Sequence, residues 1–275
     1  MNDPAGTSAS DSAAESPVRV ERPAPGVLVA TLDSPGTGNA LDTEMVQALE
    51  DLADSVHGDV DVRVVVLRAT GEHFSLGYDV AELADRERDS IPGDLDRQER
   101  TADVLAAIRS LRVPVVAAID GSTSGTGLAL ALVADIRIAG PSAVFQATFT
   151  PLGTAAGELG VSWLLPRLVG PSIAADIVFT GRVVDADEAA RVRLVNRVAE
   201  DVDAAALDLA TTIAANSPAG VRLSKRALQA AQEIPSYDAH LELENRGQTL
   251  LTRTSDMAEA LEAFLEKRQP SFGNA

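Results

Sequence analysis

Two runs of β-branched residues, "GVLVATLDS" (Gly26–Ser34) and "VRVVVLRAT" (Val62–Thr70), bracket the segment "LDTEMVQALEDLADSV". In that segment Met45, Leu49, Leu52 and Val56 recur at helical spacing, and Asp42 or Thr43 is placed to cap it. The next stretch repeats the arrangement. "TADVLAAIRSL" (Thr101–Leu111) reads as a helix, Pro114 interrupts, and "VVAAID" (Val115–Asp120) reads as a short buried strand. An apolar helix over Leu128–Val133 and a further strand, "DIRIAG", follow. Strands separated by helices need crossover connections, which restricts the chain to the α/β class.

After about Pro171 the texture changes. "SIAADIVFTG", "DADEAARVRLV", "VDAAALDLATTIAANS", "AGVRLSKRALQAAQEI" and "MAEALEAFLEKRQ" are alanine-rich and amphipathic, so helices are expected there. The expected organisation is a disordered tail over residues 1–17, a sheet-containing core over 18–200 and a helical region over 201–275. From pattern alone that last region can pack on its own core or make subunit contacts.

Composition removes several function classes. Acidic residues outnumber basic ones 41 to 23, for a formal charge of −18, the opposite of what a nucleic-acid-binding face requires. With no cysteine there is no disulfide, no thiolate catalysis and no cysteine metal site. The three histidines, His57, His73 and His240, are far apart and lack H-x-x-x-H spacing, so no metal is expected. No apolar run approaches the roughly 20 residues that cross a bilayer. The first 17 residues lack the basic start and apolar centre of a signal peptide, and a cytoplasmic location without a membrane partner is the expectation.

The chemistry is expected around "DGSTSGTGLAL" (Asp120–Leu130). A phosphate loop of the G-x-x-x-x-G-K-[ST] type fails because no lysine follows these glycines. A dinucleotide fingerprint fails on the spacing of Gly121, Gly125 and Gly127. Two readings stay open: a turn needed for packing, or an oxyanion hole in which a backbone N–H faces a carbonyl oxygen with a helix dipole behind it. A second donor is available upstream, where "GEHFSLGYDVAEL" (Gly71–Leu83) carries another tight turn, Ser75-Leu76-Gly77, after a strand.

In these residues, and in "GNALDTEM", "VPVVAAIDGSTSGTGLALALVADIRIAG", "ELGVSWLLPRLVG", "TGRVVDADEAARVRLVNRV" and "AFLEKRQPSF", the sequence resembles the enoyl-CoA hydratase/isomerase (crotonase) family. The resemblance covers about Gly26–Phe272 and implies a spiral of ββα units with a C-terminal helical trimerisation region. It also implies trimers or dimers of trimers and an acyl-CoA thioester as substrate, with no cofactor besides. Carried over by position, Leu76 and Thr126 are the two N–H donors to the thioester carbonyl. Thr126 stands where the family generally has the middle glycine of three, and Gly125 and Gly127 flank it. Ser75, Gly77, Tyr78 and Asp79 fall in the loop lining the pantetheine and adenine end, Asp79 also being a helix N-cap. Phe264 and Lys267 match C-terminal positions that approach the CoA from the same or a neighbouring subunit.

The resemblance also frames the proton chemistry. Of the two glutamates that hydratases of the family carry, Ala129 stands at the position of the first, and the neighbourhood of Phe149, where the second would sit, offers no acid. The acid remaining in this region, Glu158, stands where isomerase-like members carry an acidic residue. Phe149, Trp163 and Leu164 are the expected apolar wall raising its pKa, with Thr154 and Ser162 as nearby hydroxyls. A serine nucleophile is disfavoured because no histidine accompanies one. The leading expectation is proton-transfer isomerisation of an unsaturated acyl-CoA by Glu158. Hydratase, dehydratase or lyase chemistry, and a catalytically silent thioester-binding protein, stay open, as do the acyl group and a carrier other than CoA.

Overall fold

The structure, a computed structural model, describes residues 16–78 and 91–273. Its first strands are β1 (Val18–Ala24) and β2 (Val27–Leu32), followed by helix α1 (Thr43–Gly58) and then β3 (Val64–Ala69) and β4 (His73–Ser75). Helix α2 (Ile91–Arg109) leads to β5 (Val115–Ile119), β6 (Ser122–Ser124), α3 (Thr126–Val133), β7 (Ile136–Ala139) and β8 (Val144–Gln146). Next come α4 (Val161–Val169), α5 (Pro171–Thr180), β9 (Val183–Asp185), α6 (Ala186–Arg191) and β10 (Arg197–Val198). The chain ends in α7 (Val202–Ala214), α8 (Pro218–Ala230), α9 (Tyr237–Leu251) and α10 (Ser255–Glu266).

The strands form two sheets. The larger runs β1-β2-β3-β5-β7-β10, parallel from β2 onward and closed at one edge by the β1–β2 hairpin. The smaller runs β4-β6-β8-β9. Each of β4, β6 and β8 follows a strand of the larger sheet within a few residues, so successive turns of chain contribute one strand to each layer, the expected spiral. The expected cap on α1 is Asp42, whose carboxylate accepts the Met45 N–H.

One face of the larger sheet buries Leu28, Leu32, Val65, Leu67 and Val115 against Met45, Leu49, Val104, Ile108 and the apolar helix α3. The opposite face buries Val29, Val64, Val66, Val116 and Ile138 under Ala206, Ala210 and Ala214. Those alanines belong to α7, so the first helix beyond residue 200 closes the core. Alanine at i, i+4 and i+8 brings the helix backbone close to a valine-covered sheet. Helix α8 is pinned by a buried lysine. Lys225 Nζ donates to the Val113 carbonyl (2.9 Å) and pairs with Asp135 (2.8 Å), whose carboxylate also accepts the Val115 N–H. Burial lowers the Lys225 pKa, and the Asp135 charge opposes that shift. Among the described residues no helix is long and apolar enough to cross a membrane.

Candidate active site

The two tight turns meet. Chain leaves β3 through β4, and β4 pairs with β6, the strand that leads into α3. Two glycines permit the approach. Gly77 has φ +88°, and a methyl group there would lie 2.7 Å from the Ser124 carbonyl oxygen and 2.9 Å from the Thr126 nitrogen. Gly127 sits against Ser75, where a methyl group would come within 2.3 Å of the Ser75 oxygen. The left-handed turn before α3 is made by Gly125 (φ +52°), which leaves Thr126 in ordinary backbone as the first residue of the helix. Threonine meets no backbone strain at this position. All eight residues of α3 are buried and no side chain caps its N-terminus, so the first N–H groups face the turn with the helix dipole behind them.

The donor pair differs from the expectation in one member. The Leu76 N–H is already given to the Gly38 carbonyl at 3.0 Å, while the Gly77 carbonyl accepts the Leu41 N–H at 2.8 Å. The Gly77 N–H turns back to the Ser75 hydroxyl, 3.2 Å away. Neither the Tyr78 N–H nor the Thr126 N–H, at the start of the uncapped α3, is given to a backbone carbonyl among the described residues. Tyr78 is one peptide unit beyond the glycine that abuts the Thr126 nitrogen. The Leu76 N–H is thus committed to the fold, and the Tyr78 and Thr126 N–H groups are the candidate pair these turns leave.

Asn39 holds that anchor in place. It is fully buried with φ +52°, a conformation asparagine tolerates. Its amide donates to the Thr70 and His73 carbonyls (2.9 and 2.8 Å) and accepts the Ser34 N–H (2.8 Å). Asn39→Ala removes the partner of three part-buried backbone groups and is expected to cost about 2–4 kcal/mol of stability, measured by urea unfolding with the slope unchanged.

Glu158 lies on the loop between β8 and α4, which turns through two successive positive φ values, Leu159 (+49°) and Gly160 (+82°). Leu159 tolerates this because its side chain is buried in the core, while the Glu158 carbonyl accepts the Val161 N–H at 2.9 Å. The half-buried carboxylate has Gln98 and Tyr78 as neighbours. Gln98 Nε2 donates to Glu158 Oε1 at 3.4 Å, and the Tyr78 hydroxyl donates to Gln98 Oε1 at 3.0 Å. Burial pushes the Glu158 pKa above its ordinary value, and the polar neighbours Gln98 and Tyr78 hold part of the rise back. Burial also raises the Tyr78 phenol, and the nearby Glu158 charge adds to it. The Thr126 hydroxyl is buried beside Tyr78 without closing a hydrogen bond.

Ala129 and Phe149 are both buried in the apolar core, so no carboxylate stands at either position. Of the expected apolar wall, Phe149 is buried in the core, Leu164 packs against that core, and Trp163 makes a separate contact. The Trp163 ring carries the guanidinium of Arg167 at 3.8 Å and that of Arg109 at 5.0 Å, joining α4 to α2. Leu164 lines a cavity of about 1000 Å³ between α4, β7, α7 and α8, which none of the other expected site residues lines. The Thr154 hydroxyl is spent on its own turn, donating to the Phe149 carbonyl at 3.0 Å. Phe264 is 80% exposed on α10 and Lys267 caps that helix at φ +56°. The tail beyond them is tied through the Phe272 carbonyl to Arg63, at the end of β3 opposite the site. Within one chain neither joins the group around Glu158. Asp79 lies outside the described residues. Sequence reasoning missed Gln98 altogether. Its one signal is position: it precedes the buried stripe Thr101, Val104, Leu105 and Ile108 by one helical turn.

Comparison with known proteins finds similar chains and folds. A family profile described as "Enoyl-CoA hydratase/isomerase" matches residues 22–275. A Mycobacterium tuberculosis protein named "Probable enoyl-CoA hydratase EchA12" is 38% identical over 264 residues, covering 93% of this chain and 92% of its own. The crystal structure of an enoyl-CoA hydratase from Bacillus anthracis superposes with a TM-score of 0.89 at 30% identity, covering 94% of this chain and 100% of its own. An enoyl-CoA hydratase from Mycobacterium smegmatis superposes with a TM-score of 0.86 at 30% identity, over 93% and 98% of the two chains.

Proposed function

Because the chain belongs to the enoyl-CoA hydratase/isomerase family, we propose that it shifts the double bond of an unsaturated acyl-CoA, with Glu158 as the single proton carrier. The observation behind this reading is the pairing of one half-buried carboxylate with apolar residues, Ala129 and Phe149, where a hydratase would need two more. The thioester carbonyl oxygen takes the N–H groups of Tyr78 and Thr126. Glu158 removes a proton from Cα of a β,γ-unsaturated thioester. The C–H electron pair moves toward the carbonyl, whose oxygen gains the negative charge that the two N–H groups and the α3 dipole stabilise. The carboxyl then returns the proton to Cγ, and the double bond finishes between Cα and Cβ, with no atom gained or lost.

Hydration is the second reading. It is favoured by the names of the relatives and by the Tyr78 hydroxyl, a polar group that could hold water near Glu158. A panel of 2-enoyl and 3-enoyl thioesters distinguishes the two. Gain of the conjugated-enoyl absorbance from 3-enoyl substrates supports isomerisation, and its loss from 2-enoyl substrates supports hydration. Thioester binding without either change would favour the silent protein.

The C-terminal helices carry the oligomer reading. Leu250 on α9 and Leu261, Phe264 and Leu265 on α10 are exposed in the single chain, more apolar surface than an isolated subunit keeps in water. A trimer or a dimer of trimers buries it. Light scattering on the eluted protein is expected to give three or six times the chain mass, and Phe264→Glu with Leu265→Glu to lower it.

A further inference from the structure

Gln98 belongs to α2, an element separate from both oxyanion turns and from the Glu158 loop, yet its amide stands between the two ionisable groups of the site. Its oxygen takes the Tyr78 hydroxyl at 3.0 Å and its nitrogen faces Glu158 Oε1 at 3.4 Å. Only one amide orientation satisfies all three groups. Turned over, the amide would set its oxygen lone pairs against the carboxylate. The phenol thus fixes the amide, and the amide presents an N–H to the carboxylate.

We propose that Gln98 is a positioning residue for proton transfer: pinned by Tyr78, its amide holds Glu158 in one rotamer and favours the ionised form that accepts the proton. The proposal rests on Glu158 being the proton carrier. An N–H donor stabilises a carboxylate more than a carboxylic acid, so the resting site is set as a base. Once Glu158 is protonated that preference is lost, which eases return of the proton to the substrate. Among the described residues, the ionisable or charged groups facing this pair are Tyr78 from the turn after β4 and Arg97 from α2, the latter acting on the Tyr78 hydroxyl.

The test is the pH dependence of kcat and KM for the parent, Gln98→Leu, Gln98→Glu, Tyr78→Phe and Glu158→Gln, with melting curves to establish folding. Gln98→Leu is expected to lower kcat about tenfold or more with little change in KM. It also moves the acidic limb to higher pH, because the carboxylate has lost its donor. Gln98→Glu, of the same size, moves the limb further by placing a second carboxylate against the first. Tyr78→Phe, which frees the amide to turn, shifts the limb in the same direction by less. The Gln98→Leu, Tyr78→Phe double variant is no worse than Gln98→Leu alone. A parental acidic limb in both Gln98 variants, with Glu158→Gln inactive, overturns the positioning role and leaves Glu158 standing. Parental turnover in Glu158→Gln overturns both. Should Gln98→Leu not fold, the limb of the isosteric Gln98→Glu decides.

Discussion

Glu158→Gln is expected to lower turnover of an enoyl-CoA by about 10²–10⁴-fold, with thioester affinity within about threefold of the parent. The amide keeps the shape of the side chain but cannot take a proton. The same substitution has a second, opposite signature in stability. Burial raises the Glu158 pKa above its ordinary 4.5. A carboxyl shifted upward on folding contributes stability while it is protonated, and that contribution is lost as pH rises through the folded-state value. At neutral pH the ionised side chain is therefore a burden on the fold. The glutamine variant is expected to melt above the parent at neutral pH and to lose that margin below about pH 4.5, the ordinary carboxyl value. Thermal unfolding of both proteins at the two pH values checks the sign. A variant that melts below the parent at neutral pH would contradict a carboxylate held at a cost for catalysis.

Gly77→Ala is the second large effect. Position 77 has φ +88°, which an alanine adopts only with strain, and the added methyl group would meet backbone atoms on both sides. Those atoms are the Ser124 oxygen and the Thr126 nitrogen, the latter one of the two donors, and neither can swing aside as a side-chain end could. The two turns must separate, which breaks the convergence of the Tyr78 and Thr126 N–H groups. Loss of one oxyanion donor costs about 10²–10³ in kcat, so a folded Gly77→Ala protein should fall at least that far. Circular dichroism establishes folding and single-turnover kinetics isolate the chemical step. Parental turnover in the folded variant would mean that these two turns do not build the hole.

Much of this site is visible in the sequence because glycine and β-branched residues report on the backbone. The runs that became β2, β3 and β5 are continuous and apolar since both faces of the larger sheet are covered. The two turns are legible as short glycine-containing gaps between strand and helix. Strand β6 is not, because "STS" in a glycine-rich loop has no apolar period and is strand only by pairing with β4 and β8. Helix α9 buries no residue in the single chain, so no stripe announces it. The exchange of Leu76 for Tyr78 as donor turned on the Gly38 carbonyl, 38 positions upstream of Leu76, which takes the Leu76 N–H. The cation contact at Trp163 is legible as well. Arg167 follows it at i+4 on the same helix, a spacing that brings a cation over the ring.

The central claim is that one carboxylate carries the proton while two backbone N–H groups hold the charge. Proton NMR of a 3-enoyl-CoA incubated in D₂O with the parent and with Glu158→Gln tests it most directly. The account predicts conversion to the 2-enoyl thioester with solvent deuterium at Cα or Cγ for the parent, and neither conversion nor exchange for the variant. Conversion or deuterium exchange that persists in Glu158→Gln would contradict it.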